Sequence, residues 1–139
     1  MTFVLHPSVS LAWCFESEHT PALLALLDRT AHTGATAPIL WPLDMAQALL
    51  AAERHHRLAP AKRAHLAALL QDLPITLDPE TPDHAWAATS RLAERFALPL
   101  HHAAYLELAA RRRLPLATLH APLAAATTAL GLTPLPTPP

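Results

Sequence analysis

The chain has 139 residues, the length of one ordinary domain, so we expect a single hydrophobic core. Hydrophobic residues make up 52% of the sequence and charged residues only 15%, a balance that excludes a disordered chain. The formal net charge of −1 gives the whole molecule no general attraction for nucleic acid, so any RNA contact must come from local patches. The single cysteine, Cys14, allows no internal disulfide, and its apolar helical setting favours a buried structural thiol over a nucleophile.

Neither a membrane anchor nor an export signal is indicated. Every apolar run is interrupted by polar residues or prolines well before the roughly 20 residues needed to span a bilayer. The first residues, MTFVLHPSVSLAW, lack the basic start and small-residue cleavage site of a signal peptide. We therefore expect a cytoplasmic protein that makes no membrane contact.

In the first half of the chain, short apolar runs alternate with helical patterns. A proline or a capping residue opens each helix, as at Thr20-Pro21 and Pro42, and Gly34 ends one of them. The predicted elements are a strand at 2–5, a helix at 8–15 capped by Ser8, a helix at 20–32, a strand at 37–40 and a helix at 41–57.

The second half continues in the same way. The predicted elements are a helix at 60–73, a strand at 75–78, helices at 81–98 and 102–113, a buried strand at 114–119, a helix at 121–130 and a strand at 131–135. In the helix at 81–98, Trp86, Leu92 and Phe96 are expected on the apolar side. We expect one domain over residues 1–135, followed by a frayed proline-rich tail at 136–139.

Strands separated by helices predict right-handed crossovers and a mainly parallel sheet with helices on both faces. The expected fold class is therefore α/β, a three-layer α/β/α domain. In such sheets the functional crevice lies beyond the carboxyl ends of the strands.

Four residues are expected to converge on that crevice. His6 follows the first strand, Asp44 lies in the first turn after the second strand, His102 begins a helix, and His120 follows the fourth strand. Because the chain has ten histidines, the competing interpretation for each is an ordinary solvated or hydrogen-bonded side chain. The sequence leaves both interpretations open.

Four segments carry a family resemblance over nearly the whole chain, in order and with suitable spacing. They are FVLHPSVSLAWCFESE, LWPLDMAQALLAAER, LHHAAYLELA and LPLATLHAPLAAA. They resemble the signature segments of PIN domains, specifically those of the VapC toxin group. The resemblance implies an α/β/α nuclease fold, a homodimer, and Mg²⁺- or Mn²⁺-dependent endoribonuclease activity that a VapB-type antitoxin restrains.

The chain departs from the family at the residues of the active site. In the family, the positions of His6, His102 and His120 hold Asp, and that of Asp44 usually holds Glu. The surrounding residues agree with the family pattern, and the supporting residues it implies are Ser8, Tyr105, Thr118 and, bordering the metal site, Glu18.

Replacing three carboxylates by imidazoles changes the metal that the site favours. Mg²⁺ requires oxygen ligands, whereas imidazole suits transition metals, so Zn²⁺, Fe²⁺, Ni²⁺ or Mn²⁺ is expected over Mg²⁺. His102 is expected to be neutral because a helix N-terminus disfavours a cation. A pocket that holds no metal, or that binds a partner, and a retained Mg²⁺ nuclease remain the alternatives.

Contacts with RNA and with other protein chains are weaker predictions. If RNA binds, the candidate phosphate contacts are Arg57, Lys62, Arg63, Arg111, Arg112 and Arg113. The alternative for the Arg triplet is a solvated helix end, and Glu107 is expected to face solvent. A homodimer is expected through alanine-rich faces of helices 42–54 and 60–73.

Two function classes therefore compete. The first is a VapC-like toxin whose histidines hold a different metal or serve as general acid and base in RNA cleavage. The second is a catalytically inactive PIN fold that binds an antitoxin or RNA, and a metal sensor or store is a weaker third possibility.

Overall fold

A computed structural model describes residues 2–137, and the last two residues of the predicted tail lie outside this range. A five-stranded, all-parallel sheet forms its centre, with strand order β3-β2-β1-β4-β5. The strands are β1 (Val4–Leu5), β2 (Ala35–Pro38), β3 (Ile75–Asp78), β4 (Leu116–Ala117) and β5 (Pro134–Leu135). Helices flank this sheet, which confirms the predicted three-layer α/β/α class.

The helices lie between the strands as the sequence predicts, with small differences in their ends. They are α1 (Pro7–Ala12), α2 (Pro21–Thr33), α3 (Trp41–Arg54), α4 (Pro60–Gln71), α5 (Thr81–His84), α6 (Ser90–Phe96), α7 (Leu100–Arg112) and α8 (Ala121–Ala129). A 3-10 turn (Glu16–Glu18) follows α1, and a π-helical turn (Ala85–Thr89) joins α5 to α6. Among residues 2–137, no helix is both long and apolar enough to cross a membrane.

Strand order places the helices in two layers. Successive right-handed crossovers put α1 to α4 on one face of the sheet and α5 to α8 on the other. The chain reverses direction across the sheet between β1 and β4, which are neighbours. Such a reversal opens a crevice at the carboxyl ends of the two strands.

Helix α7 lies at the centre of its layer. Seven consecutive residues, Ala103–Ala109, are buried, and α7 contacts β1, β2 and β4. Tyr105, Leu106 and Leu108 are among the largest fully buried side chains of residues 2–137. This helix therefore holds its N-terminus, with His102, firmly against the sheet.

Several predictions about local structure are wrong. The second strand is Ala35–Pro38 and not 37–40, because pairing with β3 sets its position and the chain already turns at Ile39. The cap of α1 is His6 and not Ser8. Trp86 is 94% exposed, since the π-helical turn rotates the start of the helix out of phase with its apolar face.

The prediction that Glu107 faces solvent is also wrong. It is 4% exposed, because the Arg111 guanidinium one turn later and the Asp78 carboxylate at the end of β3 form a buried ion network with it. The Arg triplet is accordingly not a uniformly solvated helix end.

Candidate functional site at the carboxyl edge of the sheet

Three histidine rings lie together where β1, β4 and α7 meet. The ring centroid of His102 is 4.9 Å from that of His6 and 4.4 Å from that of His120, and the His6 and His120 centroids are 6.5 Å apart. His6 follows β1, His120 begins α8 after β4, and His102 lies in the first turn of α7. The structure therefore brings together the three histidines that the sequence places there, and we call them the histidine pocket.

His6 has a structural role in addition to its place in the pocket. Its side chain is the N-cap of α1, where Nδ1 accepts a hydrogen bond from the Ser8 N–H at 3.2 Å. An N–H group donates only to an unprotonated nitrogen, so in this geometry the neutral ring carries its proton on Nε2. An Asp oxygen commonly occupies the same capping position, and the imidazole Nδ1 replaces it.

Ser8 and Thr118 connect the loops after β1 and β4. The Ser8 hydroxyl lies 2.8 Å from His6 Nδ1, accepts a hydrogen bond from the Leu119 N–H at 2.8 Å, and lies 3.3 Å from the Thr118 hydroxyl. The Thr118 hydroxyl in turn accepts from the His120 N–H at 3.0 Å. These contacts fix the spacing between His6 and His120.

Burial keeps two rings of the pocket uncharged at neutral pH. Burial, followed by the nearby rings of His102 and His120, lowers the pKa of His6 to about 3. Burial and the rings of His101 and His120 lower the pKa of His102 to about 4. The Nδ1 atom of His102 is buried and has no hydrogen-bond partner, so the pocket holds neutral imidazoles with unused ring nitrogens.

Asp44 reaches the same edge from the opposite helix layer. Its Oδ2 accepts a hydrogen bond of 2.9 Å from the Tyr105 hydroxyl, which links α3 to α7. Burial raises the pKa of the Asp44 carboxyl, and the bond from Tyr105 offsets part of that rise. Burial and the neighbouring Asp44 carboxylate raise the pKa of Tyr105, so its hydroxyl stays protonated and donates.

His101 also belongs to this region, although it is not among the site residues predicted from the sequence. It is exposed, and its ring centroid lies 4.3 Å from that of His102. Its position next to His102 at the start of α7 is the feature of the sequence that could have indicated its place in this region. With His101, four imidazoles lie at one edge of the sheet.

The histidine pocket is not preorganised as a metal centre. Within residues 2–137, no group of three or more His, Cys, Asp or Glu side chains is arranged to hold a metal ion. The ring plane of His102 is at 88° to that of His6 and at 76° to that of His120, while the planes of His6 and His120 differ by 28°. In addition, His6 Nδ1 already accepts the hydrogen bond that caps α1. Rotation of the imidazoles about their side-chain bonds is required before their nitrogens can share one ion.

Three of the six candidate RNA contacts are neutralised by carboxylates. Arg57 pairs with Glu18 at 2.9 Å, and Arg63 pairs with Glu53 at 2.6 Å. Arg111 pairs with the buried acids described above. The remaining three cations have no ion pair within residues 2–137, namely Lys62, Arg112 and Arg113.

The Arg triplet also lies far from the pocket along α7. At a rise of about 1.5 Å per residue, the Arg triplet begins about 14 Å beyond His102 along α7.

Cys14 is half-buried, and burial raises the pKa of its thiol to about 11, in agreement with a structural role.

Comparison with known proteins supports the fold and assigns no function. No family model matches the chain, and no curated protein matches it significantly. Among solved structures, the chain is similar to the crystal structure of PAE2754 from Pyrobaculum aerophilum, with a TM-score of 0.69 and 20% sequence identity. The match covers 97% of this chain and 91% of that chain, so the similarity extends over the whole domain.

Proposed function

We propose that this chain is a PIN-like domain of the VapC type, a metal-dependent endoribonuclease whose acidic site has been replaced by a site for a transition metal. The observation that carries the proposal is the convergence of His6, His102 and His120 at the switch between β1 and β4, where Tyr105 contacts His6 and binds Asp44. The family resemblance of the four sequence segments supplies the reaction class.

The donor set does not fit Mg²⁺, the ion that the family implies. Mg²⁺ prefers near-octahedral oxygen coordination, and the pocket offers three imidazoles and a carboxylate that shares one oxygen with the Tyr105 hydroxyl. We therefore assign no Mg²⁺-dependent step to this site.

The same donors fit a transition metal such as Zn²⁺. Imidazole nitrogen is a preferred ligand of Zn²⁺. His6, His102 and His120, whose ring centroids lie 4.4, 4.9 and 6.5 Å apart, would hold such an ion after rotation of their rings. When bound, such an ion lowers the pKa of a water ligand and polarises a phosphoryl oxygen.

The chain's own residues prepare the site for this ion. Neutral rings keep their lone pairs available at pH 7, so no proton has to be expelled when a metal binds. Ligation by His6 Nε2 would require the proton to move to Nδ1, which would give up the cap from the Ser8 N–H and would donate instead to the Ser8 hydroxyl at 2.8 Å. The unshared Oδ1 of Asp44 is available as an oxygen ligand or as a base.

Titration calorimetry with ZnCl₂ and MgCl₂ tests metal binding. The wild type should bind about one Zn²⁺ at least about 100-fold more tightly than Mg²⁺. A variant with His6→Asn, His102→Ala and His120→Ala should lose Zn²⁺ binding. The matched control replaces three exposed histidines distant from the pocket by Ala, at His32, His55 and His65, and should bind Zn²⁺ like the wild type.

Cleavage of a fluorogenic RNA stem-loop tests the reaction. We expect cleavage with Zn²⁺ or Mn²⁺ in the wild type and in the control variant, and none in the pocket variant. Wild-type protein that binds no transition metal, or cleavage that is equal in the pocket variant, overturns the proposal.

A second candidate function is a PIN-fold binding module without catalysis. Two observations favour it: half of the candidate RNA contacts are already paired with acids, and no metal-binding arrangement is preformed within residues 2–137. A wild type that neither binds Zn²⁺ nor cleaves RNA, but does bind a partner protein, selects this alternative. A VapB-type antitoxin is the partner that the family resemblance suggests for either function, and the resemblance also suggests a homodimer.

A further inference from the structure

A cavity of about 380 Å³ lies between helices α3 and α4 and strand β3. Small-molecule sites in proteins typically have volumes of about 300–1,000 Å³, so this cavity is large enough for a ligand. Strand β3 is the outermost strand of the sheet, so no further strand of residues 2–137 covers this side. We call this space the α3–α4 cavity, and its larger lining side chains are Trp41, Met45, Leu49, Leu70, Ile75 and Leu77.

The lining of the cavity is uncharged. Among residues 2–137, no Asp, Glu, Lys, Arg or His lines it, and its polar side-chain groups are the Trp41 indole and the Gln71 amide. Gln71 and Ala46 are exposed, so they mark the opening of the cavity to solvent. An ionised ligand would lose hydration here without gaining a counter-charge, so the lining favours an uncharged, largely apolar molecule.

Trp41 gives the cavity wall an unused hydrogen-bond donor. This residue is 6% exposed, and its indole Nε1 is buried without a hydrogen-bond partner among residues 2–137. The other two indoles differ, because Trp13 Nε1 donates to the Leu23 carbonyl at 2.9 Å and Trp86 is 94% exposed. A buried donor without an acceptor destabilises a fold, and most such groups in proteins are paired. An acceptor bound in the cavity, toward which the indole turns, removes this cost.

A ligand satisfies this donor better than a single water molecule does. A buried water needs about two to four polar partners, whereas the side chains around the cavity offer it only the indole N–H and the Gln71 amide. The Gln71 Nε2 is also engaged, because it donates to the Ala67 carbonyl at 3.1 Å. A mostly apolar molecule with one acceptor oxygen matches both features, since its body fills the cavity and its oxygen pairs with the indole.

We propose that the α3–α4 cavity binds an uncharged, largely apolar small molecule whose carbonyl oxygen accepts a hydrogen bond from the Trp41 indole N–H. This site is separate from the histidine pocket, since none of the three histidines of the pocket lines it. The inference requires neither a metal nor RNA cleavage, so it goes beyond the proposed function. All measurements contain EDTA, which makes their result independent of Zn²⁺ binding at the histidine pocket.

Acetophenone and α-methylstyrene are the probes. The two molecules have the same shape, but the carbonyl oxygen of acetophenone is replaced by a CH₂ group in α-methylstyrene. The chain has three tryptophans and so gives three indole N–H signals in ¹H–¹⁵N NMR spectra, and Trp41→Phe identifies the signal of Trp41. We expect acetophenone to shift the Trp41 signal downfield, as a new hydrogen bond does, while the signals of Trp13 and Trp86 stay in place.

The affinities of the two probes measure the hydrogen bond itself. Their ratio cancels the hydrophobic contribution that the two molecules share, as in a double-mutant cycle. The affinity of acetophenone relative to α-methylstyrene should be about threefold to tenfold higher in the wild type than in Trp41→Phe, which keeps an aromatic ring but lacks the N–H.

Filling the cavity tests its location. Ala67 lines the cavity, whereas its neighbour Ala68 on α4 is exposed and does not. Ala67→Phe should weaken acetophenone binding at least about tenfold, and the matched control Ala68→Phe should bind within about twofold of the wild type. Ala46→Phe fills the cavity from α3 and is the second blocking variant. Circular dichroism identifies the variants that are folded, and at least one blocking variant has to be among them.

Three results overturn the inference. The first is a Trp41 signal that stays in place up to the solubility limit of acetophenone. The second is a probe affinity ratio that is equal in the wild type and in Trp41→Phe, or acetophenone binding that a folded blocking variant retains. The third is a dimer in light scattering that the blocking variants abolish, which makes a second copy of this chain the occupant of the cavity.

Discussion

The Tyr105 hydroxyl donates a 2.9 Å hydrogen bond to Asp44 Oδ2 and so joins the two helix layers across the edge of the sheet. Tyr105 is fully buried and belongs to α7, while Asp44 is half-buried in the first turn of α3. Because the Tyr105 ring centroid lies 4.9 Å from that of His6, this bond connects the Asp44 carboxylate to the histidine pocket through Tyr105.

Removing that hydroxyl should change both stability and acidity. In Tyr105→Phe, the Asp44 carboxylate loses a hydrogen bond while burial continues to disfavour its charge, so its pKa rises further. We expect a loss of about 1–3 kcal/mol in unfolding free energy at pH 7. Urea unfolding and an NMR titration of the Asp44 carboxyl measure the two effects, and an unchanged carboxyl pKa would contradict this account.

The helix cap formed by His6 gives a second prediction. His6→Ala removes the acceptor of the Ser8 N–H and should destabilise the protein by about 1 kcal/mol from the cap alone, with a further loss from the buried cavity. His6→Asn keeps a capping acceptor and should retain more stability than His6→Ala. Equal urea midpoints for the two variants would mean that the cap contributes nothing.

Part of this site could be predicted from the sequence. His6 and His120 follow strands, and His102 lies near the start of a helix. These positions are sufficient to predict that the three residues lie together, because parallel strands bring their carboxyl ends to one edge of the sheet. The sequence could not predict which ring nitrogen caps α1, since an imidazole at that position replaces the more common Ser, Thr, Asp or Asn.

Other features depend on tertiary contacts that no local pattern reveals. Trp86 follows a helical apolar pattern, but a π-helical turn rotates it into solvent. The strand at 37–40 was misplaced by two residues because pairing with β3 outweighs the local apolar run. For Glu107 a signal existed, since Arg111 follows at i+4, but the third partner, Asp78, comes from a distant strand.

The low pKa values in the pocket predict a loss of stability in mild acid. His6 has a pKa of about 3 in the folded protein and about 6.5 when unfolded, so the unfolded chain binds more protons between these values. The stabilising contribution is complete above pH 6.5 and is lost as the pH falls, at about 1.4 kcal/mol per pH unit for each such ring. His102, with a folded pKa of about 4, acts in the same direction.

Urea unfolding between pH 7.5 and 5 measures this dependence, with EDTA present, in a range where ordinary surface carboxylates stay ionised. The double variant His6→Asn, His102→Asn should have a flatter profile than the wild type. A wild-type profile without a slope below pH 6.5 would show that these rings titrate normally.

The buried ion network predicts a large effect for one arginine. Arg111 donates a hydrogen bond of 2.8 Å to Glu107 and also pairs with Asp78. The side chains of both acidic residues are 5% exposed. Arg111→Ala leaves two buried acids without their cation and should cost about 3–5 kcal/mol. Arg112→Ala removes an exposed cation without an ion pair and should change stability by less than about 0.5 kcal/mol, so similar urea midpoints for the two variants would refute this ranking.

Gly34 gives the last prediction, because the start of β2 depends on it. It has φ +80°, and a Cβ at this position would lie 2.8 Å from the Pro74 carbonyl oxygen, in the backbone that leads into β3. Gly131 has a similar φ of +76°, but its Cβ would meet nothing within 4 Å. Gly34→Ala therefore adds a steric clash to the cost of a backbone with φ +80° and ψ 177°, which is almost exclusive to glycine and costs about 1–3 kcal/mol for other residues. Gly131→Ala carries only the cost of a positive φ, about 1 kcal/mol.

Thermal unfolding of the two variants compares an enclosed, strained glycine position with an open one. Gly34→Ala should unfold at a clearly lower temperature than Gly131→Ala, by several degrees, since about 1 kcal/mol shifts the midpoint of a domain of this size by about 3–6 °C. If the two variants unfold at the same temperature, the approach of Gly34 to Pro74 does not constrain the sheet.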